Sequence, residues 1–93
     1  MGKEIYLVKR RGNVEPFDDK KLYASIYSAC MSAHLHEQKC EGIADKVLKA
    51  VKTKMPKKEK SIYSTNIKNM AHEELKKHSK DAAFLYDTHL DLS

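Results

Sequence analysis

The sequence predicts an α+β domain: a short N-terminal β-hairpin and one further short strand accompanying four helices. Three observations predict it. Two β-forming runs, Ile5 to Arg10 and Val14 to Phe17, flank the turn residues Arg11-Gly12-Asn13. From Asp19 onward the apolar residues recur at helical spacing. Asp18-Asp19, Pro56, Ser64-Thr65-Asn66 and Ser79 punctuate that stretch as caps and breakers. The 93 residues make one domain's worth of chain, read as a single unit over 1–93.

Each element follows from its residues. Gly12 and Asn13 tolerate positive φ and so turn the chain between the two strands. Pro16 cannot donate to a ladder, which puts the second strand at a sheet edge. Asp18-Asp19 supplies a carboxylate N-cap for helix one, which runs from near Asp19 to about Ala33 with Leu22, Ile26, Ala29 and Ala33 on its apolar face. Helix two starts near Glu37. Its stripe is Cys40, Ile43, Ala44, Val47, Leu48 and Val51, and Pro56 stops it. Lys57 to Lys60 form a polar loop, and Ser61-Ile62-Tyr63 a short third strand. Ser64, Thr65 and Asn66 are the candidate N-caps of helix three, whose stripe is Ile67, Met70, Ala71 and Leu75. Ser79 caps helix four, with Ala82, Ala83, Leu85, Tyr86 and Leu90 as its apolar surface. Connections this short favour antiparallel neighbours in a small bundle.

Composition narrows the function. Charged residues make up 33% of the chain and apolar ones 41%, the balance of a folded globule with a modest core. A chain this short has no room for a separate cofactor domain. The formal net charge of +5 favours anionic partners: nucleotides, nucleic acid or acidic surfaces. Two cysteines are too few for a disulfide scaffold, and the lysine-rich composition fits a reducing, cytoplasmic setting. No apolar run reaches the length of a signal peptide or membrane span, so no membrane role is expected. Gly2 is discounted as a myristoylation site, because Tyr6 stands where Ser or Thr is needed.

The chemistry concentrates between Leu7 and Leu22. Lys9 and Arg10 precede the Gly12 turn, Glu15 follows it, and Lys21 lies in the first turn of helix one beside its free N–H groups. On one strand Lys9 and Arg10 would point to opposite faces, with the twist of the hairpin end drawing both toward one ligand. A guanidinium fork, ammonium charges and helix N-terminal donors together suit a polyphosphate. Neither G-x-x-x-x-G-K-[ST] nor G-x-G-x-x-G occurs, so this is neither a P-loop nor a Rossmann site. The competing interpretation is that these are ordinary exposed charges on an amphipathic hairpin.

Val8-Lys9-Arg10-Arg11-Gly12, followed by Val14-Glu15-Pro16-Phe17-Asp18 and Lys21-Leu22, resembles the ATP-cone family. That domain is the nucleotide-sensing regulatory module of many ribonucleotide reductases and of a bacterial repressor of their genes. Ser61 to Ile67 looks like the family's short strand leading into its third helix, and Ala82 to Tyr86 like its last helix. The resemblance implies a small three-stranded sheet covering a four-helix bundle. It also implies ATP or dATP as ligand, with Mg2+ an optional companion. Lys9, Arg10 and Lys21 match the positions that hold phosphates. Leu7 matches a base-pocket position, Glu15 and Asp18 positions near base and ribose, and Ser64 and Lys68 positions facing the nucleotide from the other side. Two residues depart from the pattern: Arg11 replaces the usual Asp or Asn of the turn, and Tyr86 appears where many members have Arg.

Cys30, His34, His36 and Cys40 form a C-x₃-H-x-H-x₃-C run whose four ligands would suit zinc. It lacks the C-x₂₋₄-C knuckle, and Cys40 is in register with an apolar stripe, so no metal is assigned. Tyr23 and Tyr27 share a face of helix one and read as a half-buried edge. The lysines from Lys46 to Lys60 read as a solvated face and loop. No nucleophile, base and orienter fall into a catalytic pattern, and no enzyme activity is expected. The expectation is a non-catalytic ATP/dATP-binding regulator. It would pass nucleotide state to its own oligomer or, lacking a reductase barrel, to a ribonucleotide reductase or regulatory protein in trans, unless it is a piece of a longer protein. The alternative is a small basic nucleic-acid-binding or scaffold protein.

Overall fold

The computed structural model describes residues 5–55 and 61–91. The elements run β1 (Tyr6–Val8), β2 (Val14–Pro16), α1 (Asp19–Ser32), α2 (Glu37–Lys54), β3 (Ser61–Tyr63), α3 (Ser64–Lys76) and α4 (Lys80–Asp91). This is the predicted α+β order. Gly2, Pro56, the Lys57–Lys60 loop and the side chain of Leu90 lie outside the described residues.

The strands form one mixed sheet in the order β2-β1-β3. β1 pairs antiparallel with β2 and parallel with β3, setting Leu7 opposite Glu15 on one side and Ile62 on the other. Side chains alternate across a sheet, so this row faces inward: Ile62 is buried and Leu7 and Glu15 are half-buried. Val14 and Tyr63, one residue away in register, are exposed on the outward face. Pro16 sits on an edge strand, as a residue without an N–H must.

The hairpin corrects one expectation. β1 ends at Val8, so Arg10 is not a strand residue. The Gly12 N–H bonds the Lys9 carbonyl at 2.8 Å, and the Lys9 N–H bonds the Asn13 carbonyl at 2.8 Å. These bonds close a three-residue loop, Arg10-Arg11-Gly12. Gly12, at φ +90°, takes the left-handed third position that such loops require. That requirement draws Arg10 out of the strand and onto the hairpin tip.

Each helix packs on two others: α1 on α2 and α4, and α3 on α2 and α4. Their shared core holds Ile26, Ala29, Cys30, Cys40, Val47, Val51, Ala71, Leu75 and Tyr86, all essentially without solvent contact. Burying a side chain the size of Ile26 contributes about 1.5–3 kcal/mol. Asp18 caps α1 as expected, its Oδ1 accepting from the Lys20 N–H at 2.9 Å, a bond worth about 1 kcal/mol. Ser79 caps α4 through the Ala82 N–H at 3.1 Å. Lys52 reaches Asp19 at 3.3 Å and so ties the end of α2 to the start of α1. Met55, the residue before Pro56, is extended at ψ 144°, the conformation a following proline imposes.

The start of α3 differs from what the residues suggest, while α1 stops where expected but on an unusual residue. α3 begins at Ser64, directly after β3, and its N-cap is Tyr63, without a side-chain bond. Ser64, Thr65 and Asn66 are therefore helical residues rather than caps, because β3 delivers the chain with no loop in between. At the end of α1, His34 adopts φ 63°. Its N–H bonds the Met31 carbonyl at 3.0 Å, and the Leu35 N–H bonds the Cys30 carbonyl at 3.2 Å. This is a Schellman motif with histidine in the position glycine usually takes.

Candidate functional site

The hairpin, the first turns of α1 and α3, and one side chain of α4 enclose a cleft of about 860 Å3. Alternation along β1 sends Leu7, and Lys9 just beyond the strand, to the inward side. The loop closed at Gly12 brings Arg10 and Arg11 over the rim. Asp18, Lys21, Leu22 and Ser25 follow from α1, and Ser64, Ile67 and Lys68 from α3, each set at the three- and four-residue spacing of one helix face. All eight residues singled out from the sequence, Leu7, Lys9, Arg10, Glu15, Asp18, Lys21, Ser64 and Lys68, line this one cleft.

Its lining is graded. Leu22, Ile67 and Tyr86 are buried, and Leu7 and Phe17 half-buried, so the deep part is largely apolar. Lys9, Arg10, Arg11 and Lys21 are exposed at the rim, with Lys68 half-buried beside them. Five cations thus face two carboxylates, Glu15 and Asp18. Both carboxylates are engaged: Glu15 pairs with Lys9 at 3.3 Å across the hairpin, and Asp18 caps α1. The Asp18 cap also takes up the Lys20 N–H, one of the α1 donors that the sequence offers to a phosphate. An apolar floor under a cationic rim is the make-up of a site for a flat heterocycle carrying a polyanionic tail.

Sequence reasoning left out Arg11, Asn13, Phe17, Leu22, Ala24, Ser25, Ile67 and Tyr86 as lining residues. Ser25 and Ile67 carry a usable signal, four residues after Lys21 and three after Ser64 on the same helical faces. Tyr86 carries no local signal beyond its departure from the family pattern, because its place depends on how α4 packs.

The Cys30–Cys40 segment is a different kind of place. Both thiols are fully buried, and Cys40 donates to the Leu35 carbonyl at 3.6 Å. Burial, reinforced by Cys40, pushes the Cys30 thiol up to about 11, and burial likewise raises Cys40. His34 and His36 are exposed in the turn between α1 and α2. Among the described residues no three metal-ligating side chains gather. Tyr23 and Tyr27 stack at 6.3 Å between ring centroids and are half-buried, as their spacing suggests. No helix among the described residues is long and apolar enough to cross a membrane.

No curated protein matches the chain. Over residues 5–86, however, it matches the ATP cone domain, a stretch that takes in every element lining the cleft. On that match the chain belongs to the ATP-cone family, whose domains are in general nucleotide-binding allosteric modules, regulatory rather than catalytic.

Proposed function

We propose that the cleft holds ATP or dATP and that the chain passes its nucleotide state to another surface. In this reading Lys9, Arg10 and Lys21 hold the phosphates and Leu7 lies against the base. Glu15 and Asp18 face base and ribose, and Ser64 and Lys68 close on the ligand from α3. The observation that carries it is the convergence of these eight residues, from the hairpin, α1 and α3, on a single cleft. Support also comes from the start of α3. With no side-chain cap on Tyr63, its first N–H groups remain available beside Ser64. The cations gather around a hollow rather than along a flat face, which favours a small polyanion over a duplex. Mg2+ finds no free carboxylate pair here, since Glu15 and Asp18 are both engaged, so an accompanying ion belongs to the phosphates.

Transmission follows from unequal affinity: a nucleotide that binds one arrangement of hairpin and α3 more tightly raises its population. The listener is a second copy of this chain, or a ribonucleotide reductase or transcriptional regulator acting in trans. Calorimetric titration with ATP, dATP, GTP and AMP tests the binding, and light scattering with each nucleotide tests the output. ATP and dATP should bind, with AMP weaker by at least about tenfold for its missing charge-assisted bonds. Absence of nucleotide binding, together with duplex binding that falls steeply with salt, would instead establish the small basic nucleic-acid-binding protein.

A further inference from the structure

Tyr86 is 1% exposed and yet borders the cleft, where it is the one lining residue from α4 among the described residues. A buried tyrosine ordinarily brings its hydroxyl to a hydrogen-bond partner. Among the described residues no protein group hydrogen-bonds this one. Nor is it sealed in, because no enclosed side-chain oxygen or nitrogen among them lacks a partner. The hydroxyl is therefore open, and the opening that Tyr86 borders is the cleft.

What it meets there follows from the lining. Its neighbours along the deep part are apolar, Leu22 and Ile67 buried and Leu7 and Phe17 half-buried. The cations stand toward the rim. A nucleotide laid across this gradient puts its heterocycle deep and its phosphates outward. The heterocycle carries ring nitrogens that accept hydrogen bonds, and the apolar side chains around it offer no donor. The Tyr86 hydroxyl is the donor from the buried wall.

Building on the nucleotide reading above, we infer that Tyr86 reads the base: its hydroxyl donates to a ring nitrogen of the bound purine. It thereby sets selectivity for the heterocycle and leaves affinity for the phosphates to the rim. Burial, with the Asp87 carboxylate beside it, holds the phenol well above its ordinary range. It stays a donor throughout the neutral range, and the contact does not titrate with the site. A polar group provided for one ligand atom discriminates more strongly than an apolar contact, because a ligand lacking the acceptor leaves the group unmet.

The experiment uses Tyr86→Phe, which removes the oxygen and keeps the ring. ATP and inorganic tripolyphosphate are titrated calorimetrically into the wild-type and variant chains, and both chains are melted without ligand. The variant should bind ATP about three- to tenfold more weakly, the loss of one hydrogen bond, and bind tripolyphosphate as the wild type does. Its ligand-free melting temperature should not fall, since the hydroxyl has no protein partner to lose. Unchanged ATP binding in the variant overturns the inference while leaving the nucleotide reading in place. Equal losses for ATP and tripolyphosphate, or a lowered melting temperature, also overturn it by assigning the hydroxyl to the phosphates or to the fold. A wild-type chain that does not bind ATP overturns the nucleotide reading, and the inference with it.

Discussion

At the cleft, five cations surround a hollow; between α2 and α3, two cations, Lys54 and Lys77, surround a carboxylate. Both places look alike in the sequence, as basic residues near helix ends with an acidic residue close by. The difference is what occupies the centre. Glu74 is buried and takes hydrogen bonds from both lysines, at 3.3 Å from Lys77, so its charge is matched within the protein. Among the described residues the cleft has no such central anion. Its two carboxylates are committed at the edges, which leaves Arg10, Arg11, Lys21 and Lys68 without an ion-pair partner among the described residues. One cluster ties helices together, and the other leaves its charge facing an open hollow.

The contrast is broken or sharpened most strongly at the cleft. Arg10→Ala should weaken ATP binding about ten- to a hundredfold through the loss of a charge-assisted bond, and leave the melting temperature unchanged. Lys9→Ala should cost more than Arg10→Ala, because it also frees Glu15 to face the phosphates. Calorimetry on the two variants decides, and unchanged titrations would remove the phosphate assignment.

At the other cluster the pattern should invert. Glu74→Gln should lower stability by about 1 kcal/mol in denaturant melts and leave ATP affinity untouched. The same residue gives acid sensitivity a direction. The hydrogen bond from Lys54, then that from Lys77, holds the Glu74 carboxyl below its ordinary value of 4.5 against the opposing effect of burial. Its contribution is therefore complete above about pH 4.5 and is lost as pH falls through its own lower value. Melts of wild type and Glu74→Gln should converge in acid. The smallest effect belongs to Lys77→Ala. This ammonium is 66% exposed, and its removal should cost no more than about 0.5 kcal/mol. A loss as large as that of Glu74→Gln would mean that Lys77, and not Lys54, is the principal tie.

Much of this was readable in the residues. Helical periodicity located all four helices, Pro16 placed its strand at an edge, and Asp18 and Ser79 announced their caps. The eight candidate residues carried the cleft, because a hairpin and two helix starts bring sequence-distant charges to one end of the molecule. The unread parts share a physical cause, which is dependence on the path of the chain. Arg10 looks like a strand residue until the loop geometry at Gly12 fixes where the turn begins. Ser64 looks like a cap until β3 is seen to run straight into α3. His34 looks like a candidate zinc ligand until the backbone shows it as the left-handed residue of a helix stop, for which histidine gives no local sign. Tyr86 reaches the cleft only because α4 packs on both α1 and α3.

The parallel pairing of β1 with β3 carries a consequence for the order of assembly. The hairpin, and the α1–α2 pair with its short turn, close through local contacts and are expected to form early. Matching Tyr6 with Ser61 must wait, because it closes a loop that contains both of those helices. Since α3 starts where β3 ends, the Ser64 wall of the cleft arrives with that last strand. A ligand held between the hairpin and α3 therefore bridges an early-forming and a late-forming part of the chain. Such a ligand is expected to slow unfolding more than it speeds folding, an outcome that folding and unfolding rates measured with and without ATP check.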